Sequence, residues 1–230
     1  MIIMNSVTGE SITNTTTDAS YSLHAHMYSF FTGFLYMIGG SFQNRFRRDR
    51  FSEFLPIKAD ERILDICCAN GKGTNVLASF AKDCKVTGID IDPKMIIFAI
   101  KNSRKVSNVN FRIADCTNMP FPANTFNIVN SFLALHEIPN ELVPTVLNEI
   151  KRTLKKDGLL LIFELKLPKK SSLDILNLRY YLFRLFEDEN AARFMMTDQV
   201  KLVEKSGFNL VKSKEFHFGL TSVRLYKFNK

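Results

Sequence analysis

Arg62-Ile63-Leu64-Asp65-Ile66-Cys67-Cys68-Ala69-Asn70-Gly71-Lys72-Gly73-Thr74 decides the fold. Residues 63–66 are a short apolar run carrying one acid, and small residues follow at once. Residues 74–80 then place apolar side chains at 76, 77 and 80, the spacing of a helix. Strand, tight turn, helix is the first half of a βαβ unit. A turn of small residues lets a ligand approach the backbone, and the amides opening the next helix face whatever anionic or polar group lies there. Residues 85–90 form a second short strand closing in Asp90, at the separation from Asp65 that a βαβ unit predicts. An acid at that tip is placed to accept hydrogen bonds from a ribose diol. The dinucleotide fingerprint Gly-x-Gly-x-x-Gly is absent, since Cys67, Ala69 and Lys72 occupy its glycine positions. The turn therefore suits a smaller group, such as an amino-acid carboxylate, better than a pyrophosphate.

These residues carry a resemblance. Asp65-x-Cys67-Cys68-Ala69-Asn70-Gly71 resembles motif I of the class I S-adenosylmethionine (SAM) dependent methyltransferases, usually Asp/Glu-x-Gly-x-Gly-x-Gly, with Cys for the first glycine and Ala for the second. Residues 88–95, Gly-Ile-Asp-Ile-Asp-Pro-Lys-Met, resemble the family's ribose-binding segment, and residues 114–121, Ala-Asp-Cys-Thr-Asn-Met-Pro-Phe, its adenine-binding segment. Residues 126–129 and 135–139 match the fourth strand and the loop after it. Five segments in register span roughly residues 60 to 165. The resemblance implies that Asp65 orients the turn from below, while Cys67, Ala69 and Gly71, with Cys68 and Asn70 in the same turn, line the methionine portion of SAM. It implies Asp90 on the ribose hydroxyls, Ile91 on the adenine with Met95 beside that segment, and Asp115 at the adenine amino group with Cys116 next to it. Phe132, directly after the fourth strand, completes the expected cofactor contacts; S-adenosylhomocysteine is the implied product.

The remaining pattern alternates strand and helix. Helix is expected over 93–105 and 141–154, and strand over 109–114, 126–131 and the apolar run 159–165. A helix opening at Thr197 as N-cap and ending at Gly207 precedes two strands, 209–216 and 221–228, close enough to form an antiparallel hairpin. The fold class that follows is α/β: a Rossmann-like, doubly wound, seven-stranded, mostly parallel sheet with an antiparallel last strand. Ahead of it, residues 1–20 read as a loose polar tail and 21–56 as a helical cap, with Arg45, Arg47, Arg48 and Arg50 on the polar sides of its second helix. Residues 166–195 read as a helical insertion within the single domain 21–230. The cap serves as a lid, or alternatively as a basic, aromatic surface for peripheral membrane contact.

Composition narrows the classes. No apolar run is long enough to span a bilayer, and the start has no charged leader followed by an apolar stretch. The four cysteines, 67, 68, 84 and 116, lack zinc spacing and fit reduced thiols in a cytoplasmic protein, with no metal expected. The net charge of +8, from 31 basic and 23 acidic residues, is scattered, with no dedicated nucleic-acid module. Monomer and homodimer both remain open.

Methyl transfer asks mainly for in-line positioning, and for a proton acceptor when the acceptor is a phenol or enol. His136 is the candidate base, at the edge where ligands bind in such sheets; the alternative is that it only holds its loop. His24 and His26 are second choices. Residues 163–168, the Cys-Cys pair and the ending Gly207-Phe208…Phe218-Gly219-Leu220 resemble the ubiquinone/menaquinone-biosynthesis C-methyltransferases, which implies a small, apolar or aromatic, quinol-like methyl acceptor. The insertion is shorter than in that group and lacks its tyrosine-rich consensus. A methyltransferase of protein or RNA, and a SAM-fold scaffold without catalysis, are the other readings.

Overall fold

Ile63, Leu64 and Ile66 are all fully buried, because their strand lies inside a sheet covered on both faces. The computed structural model describes residues 47–80, 83–166, 189–216 and 221–228, all within one compact unit, Ser41–Lys230. The expected tail, the first cap helix with His24 and His26, Arg45 and the aromatic helix of the insertion lie outside the described residues.

The strands are Arg62–Ile66 (β1), Lys85–Asp90 (β2), Val109–Ile113 (β3), Phe126–Phe132 (β4), Leu154–Leu165 (β5), Phe208–Phe216 (β6) and Thr221–Phe228 (β7). The helices are 47–54 (α1), Lys72–Ala78 (α2), Pro93–Asn102 (α3), Val143–Thr153 (α4), Glu189–Met196 (α5) and Gln199–Lys205 (α6). The strands form one seven-stranded sheet in the order β3-β2-β1-β4-β5-β7-β6. β1 pairs in parallel with β2 and β4, β2 with β3, and β4 with β5. β7 runs antiparallel to both of its neighbours, β5 and β6. The order reverses between β1 and β4, which opens a crevice at the carboxyl ends of those strands.

Period-two alternation divides the core. Leu64 and Ile66 share one buried cluster with Val146, Leu147 and Ile150 of α4 and Val203 of α6. Ile63 belongs to the other, with Phe51 and Phe54 of α1 and Val76 and Leu77 of α2. Asp65 falls on that second face.

Three details differ from the sequence reading. α6 is capped by Asp198, whose side chain accepts from the Lys201 amide at 3.1 Å, while the expected cap, Thr197, donates its hydroxyl to the Phe194 carbonyl. Either residue type can cap, and the backbone path chose the second. β5 starts at Leu154, directly after α4: Leu154 pairs with Phe126 and Leu159 with Ile128, so residues 155–158 bulge out of the ladder. Asp157 there has φ 61°, and a Cβ on Gly158 would lie 2.9 Å from the Lys155 carbonyl oxygen. α5 is a second helix at the end of the expected helical insertion and runs one residue past it. It buries Ala191, Ala192, Phe194 and Met195, and Asn190 ties it to the loop after β4 through bonds to the His136 and Ile138 carbonyls at 3.2 and 2.8 Å.

Candidate active site

The turn after β1 takes an unusual backbone path. Cys67, Ala69 and Gly71 all adopt the left-handed region, with φ of 50°, 46° and 75°. Those are the three positions where motif I usually carries glycine. Only glycine enters that region freely; for Cys and Ala it costs roughly 1–2 kcal/mol each. Neighbouring strands hold the path. The Cys68 amide donates to the Ile89 carbonyl at 2.9 Å, and the Ala69 amide donates to an Asp90 carboxylate oxygen at 2.9 Å. Gly71 is required for space as well, since a Cβ there would lie 2.8 Å from the Ala99 Cβ and 2.9 Å from the Phe111 ring. Cys68 is buried, with its sulfur 2.9 Å from where a Cβ on Gly88 would sit, so it fills the wall between β1 and β2. The Asn70 carbonyl accepts from the Asn102 side chain at 3.0 Å, which ties the turn to the end of α3.

Asp65 supports the turn through side chains. Its carboxylate accepts from the Thr74 hydroxyl in α2 and from the Asn130 amide in β4, each at 2.6 Å. Burial pushes this carboxyl upward, opposed by those two bonds and by the Arg47 guanidinium.

The tips of β2 and β3 adjoin the turn. The second Asp90 oxygen accepts from the Asp92 amide at 3.0 Å. Each carboxylate oxygen keeps a further lone pair, so Asp90 can still accept from hydroxyls. Asp92 caps α3 by accepting from the Lys94 amide at 2.7 Å. Ile91 is 69% exposed, an apolar surface at the mouth of the crevice, and Met95 is half-buried one helical turn on. One Asp115 oxygen takes both the amide and the hydroxyl of Thr117, at 2.7 and 2.8 Å; the other has no hydrogen bond among the described residues. The Cys67 thiol hydrogen-bonds to Cys116, which holds Cys67 well above its ordinary range and draws Cys116 below its own.

An aromatic cluster lies at the carboxyl ends of β4 and β5, with Phe132 half-buried and Phe163 only 3% exposed. Phe132 and Phe163 stack with centroids 4.4 Å apart and planes 7° from parallel, and Phe51 meets Phe132 edge-on at 6.2 Å. The Arg47 guanidinium lies over the Phe132 ring, 4.8 Å from its centroid. This residue departs from the sequence reading: Arg47 is 6% exposed, not on a solvated face. The signal was present in the spacing, because Arg47 shares its helix face with the buried Phe51 and Phe54.

His136 sits in a 3-10 turn, Leu135–Glu137, after β4. Its Nδ1 lies 2.5 Å from Glu164 Oε1 and its Nε2 3.4 Å from Glu137 Oε1. Glu164, fully buried in β5, also accepts from the Leu135 and Leu165 amides. Burial alone would depress the imidazole, but the Glu164 and Glu137 carboxylates outweigh it and push the ring up to about 10. A ring protonated at neutral pH has no lone pair for a second proton. In this arrangement His136 holds its loop to β5. Sequence reasoning did not find Glu164, whose partner lies 28 positions away.

Residues 57–211 match the sequence model of a family described as a methyltransferase domain. The chain belongs to that methyltransferase family. It is 25% identical over 200 residues to a demethylmenaquinone methyltransferase of Staphylococcus haemolyticus, covering 80% of this chain and 83% of the relative. It is 32% identical over 130 residues to the 27-O-demethylrifamycin SV methyltransferase of Amycolatopsis mediterranei, covering 55% and 47%. The fold matches that of a Haemonchus contortus phosphoethanolamine N-methyltransferase solved with SAM, with a TM-score of 0.63, 16% identity and coverage of 81% and 53%. This methyltransferase uses SAM. The donor set fits the cofactor: the Asp90 carboxylate for hydroxyls, an apolar Ile91 face, the unbonded Asp115 oxygen for an amino group, and a buried guanidinium beside the turn. No helix among the described residues is long and apolar enough to cross a membrane.

Proposed function

We propose that this methyltransferase acts on a small, apolar or aromatic, quinol-like acceptor seated beside Phe132. The observation that carries the reading is the half-buried Phe132 at the carboxyl end of β4, next to the switch in strand order. An aromatic side chain at that edge favours an apolar partner over a charged one. The substrate names of two relatives, demethylmenaquinone and demethylrifamycin SV, support the same class.

Each residue then has a task. Bound SAM supplies a methyl group on a sulfonium, a good leaving group. Asp90 accepts from the ribose hydroxyls, Ile91 and Met95 flank the adenine, and Asp115 accepts from its amino group beside Cys116. The backbone of Cys67, Ala69 and Gly71 follows the methionine portion closely, and Arg47 pairs with its carboxylate. His136 keeps its proton between Nδ1 and Glu164 and orders the loop, while a phenolic acceptor releases its own proton to water. Positioning and exclusion of water supply most of the acceleration.

Calorimetric titration with SAM and S-adenosylhomocysteine tests the cofactor assignments. Micromolar binding that disappears in Asp90→Ala supports them, and unchanged affinity sinks the role given to Asp90. Radiolabelled methyl transfer to quinols, compared with transfer to protein or RNA in an extract, tests the acceptor. Counts lost on protease or RNase treatment would replace the small-molecule reading.

A further inference from the structure

α3 is apolar well beyond the face it packs. Ile96 and Ala99 are buried against the sheet, which is what a surface helix needs. Ile97, Phe98 and Ile100 nonetheless occupy its other sides and are 64%, 50% and 54% exposed. Ile113, at the tip of β3 on which α3 packs, is 58% exposed. β3 is an edge strand and pairs with β2. Single exposed apolar side chains need no explanation; four gathered on one helix and the adjoining strand do.

The charged side chains between the two flanking acids, Asp92 and Asp115, have one sign. From Pro93 to Ile113 the chain carries Lys94, Lys101, Arg104, Lys105 and Arg112, all exposed, and no Asp or Glu. Arg112 also lies over the Phe121 ring at 5.3 Å. We infer that this face docks the protein on an anionic lipid surface. Ile97, Phe98, Ile100 and Ile113 enter the boundary between headgroups and acyl chains, and the five cations lie over the lipid phosphates. A second copy of the chain is a poorer occupant. A two-fold contact would bring the same basic rim against itself, with no acid within this stretch to receive it. A lipid surface offers an apolar interior and a continuous negative potential together. None of the four apolar residues belongs to the cofactor site, so the inference stands apart from the choice of acceptor.

Co-sedimentation of the full chain with phosphatidylcholine vesicles, with and without phosphatidylglycerol, tests this. Binding is expected only with phosphatidylglycerol and weakens as salt rises. Each cation near such a surface is worth roughly fivefold in affinity, so the double reversal Lys101→Glu/Lys105→Glu should cost more than about a hundredfold. Ile97→Ser/Phe98→Ser should cost about tenfold or more. Both variants should keep the wild-type circular dichroism and SAM affinity, which confirms that they fold. No binding at low salt, or undiminished binding by both variants, overturns the inference. Loss in the charge variant alone reduces the contact to adsorption and overturns the insertion of the apolar residues. A wild-type dimer in solution that Ile97→Ser/Phe98→Ser dissolves would assign the face to a second copy instead.

Discussion

The two halves of the crevice are built by different means. On the β1–β3 side the geometry belongs to the backbone: three alternate residues in the left-handed region, and amides that donate to Asp90. On the β4–β5 side it belongs to side chains: a stacked Phe pair, and a histidine between two glutamates. A backbone path survives exchange of its side chains, as Cys67 and Ala69 in glycine positions show. A buried charge pair does not survive loss of one member.

The largest effect should therefore come from the side-chain half. His136→Gln leaves the fully buried Glu164 without its cation and should cost about 3–5 kcal/mol in urea unfolding. A cost below about 1 kcal/mol would show that the pair is not what orders this half. The pH dependence has a definite sign. The folded ring titrates near 10, above its ordinary 6.5, so its stabilisation is complete below pH 6.5 and is lost as pH rises through 10. Wild type should lose stability between pH 7 and 10, and His136→Gln should lose less over that window.

Next comes Gly71→Ala, which meets both a left-handed φ and a close approach to Ala99 and Phe111. We expect a loss of about 2–3 kcal/mol together with SAM binding. Full affinity in this variant would mean that the turn is softer than its backbone bonds suggest. Arg47→Met keeps much of the packing on Phe132 but removes the charge. Its SAM dissociation constant should rise by about ten- to a hundredfold, with a smaller loss of stability than His136→Gln because Asp65 keeps its Thr74 and Asn130 bonds. An unchanged constant would remove Arg47 from the site. The smallest effect belongs to Cys67→Gly/Ala69→Gly, where relief of strain is offset by greater freedom of the unfolded chain. Stability should stay within about 1 kcal/mol of wild type and SAM affinity should be retained. A large loss would show that the two side chains, and not the path, make the turn.

The same contrast explains what could be read from the residues alone. The strands, their succession along the chain and the Asp65–Asp90 spacing follow from local pattern, and the structure has each of them. The Arg47 position depends on which side of a helix meets a strand 85 positions later, and Arg beside Arg reads as a solvated face until that packing is known. Glu164 stands in an apolar run where a lone acid carries no label; only the fold brings His136 to it. α5 is short, and its apolar residues were absorbed into an insertion with no strong period. Asp198 and Thr197 are chemically equivalent caps, separated only by the path of the chain.

The placing of β7 between β5 and β6 has a consequence for synthesis. β6 leaves the ribosome before the strand that connects it to the sheet, and β5 has one edge open until that strand arrives. β5 therefore keeps one edge unpaired until residues 221–228 have left the ribosome and docked. Val223, Leu225 and Tyr226, buried in the finished sheet, close that interval in one step. Slowed translation over this stretch should raise the aggregated fraction without altering the protein that folds.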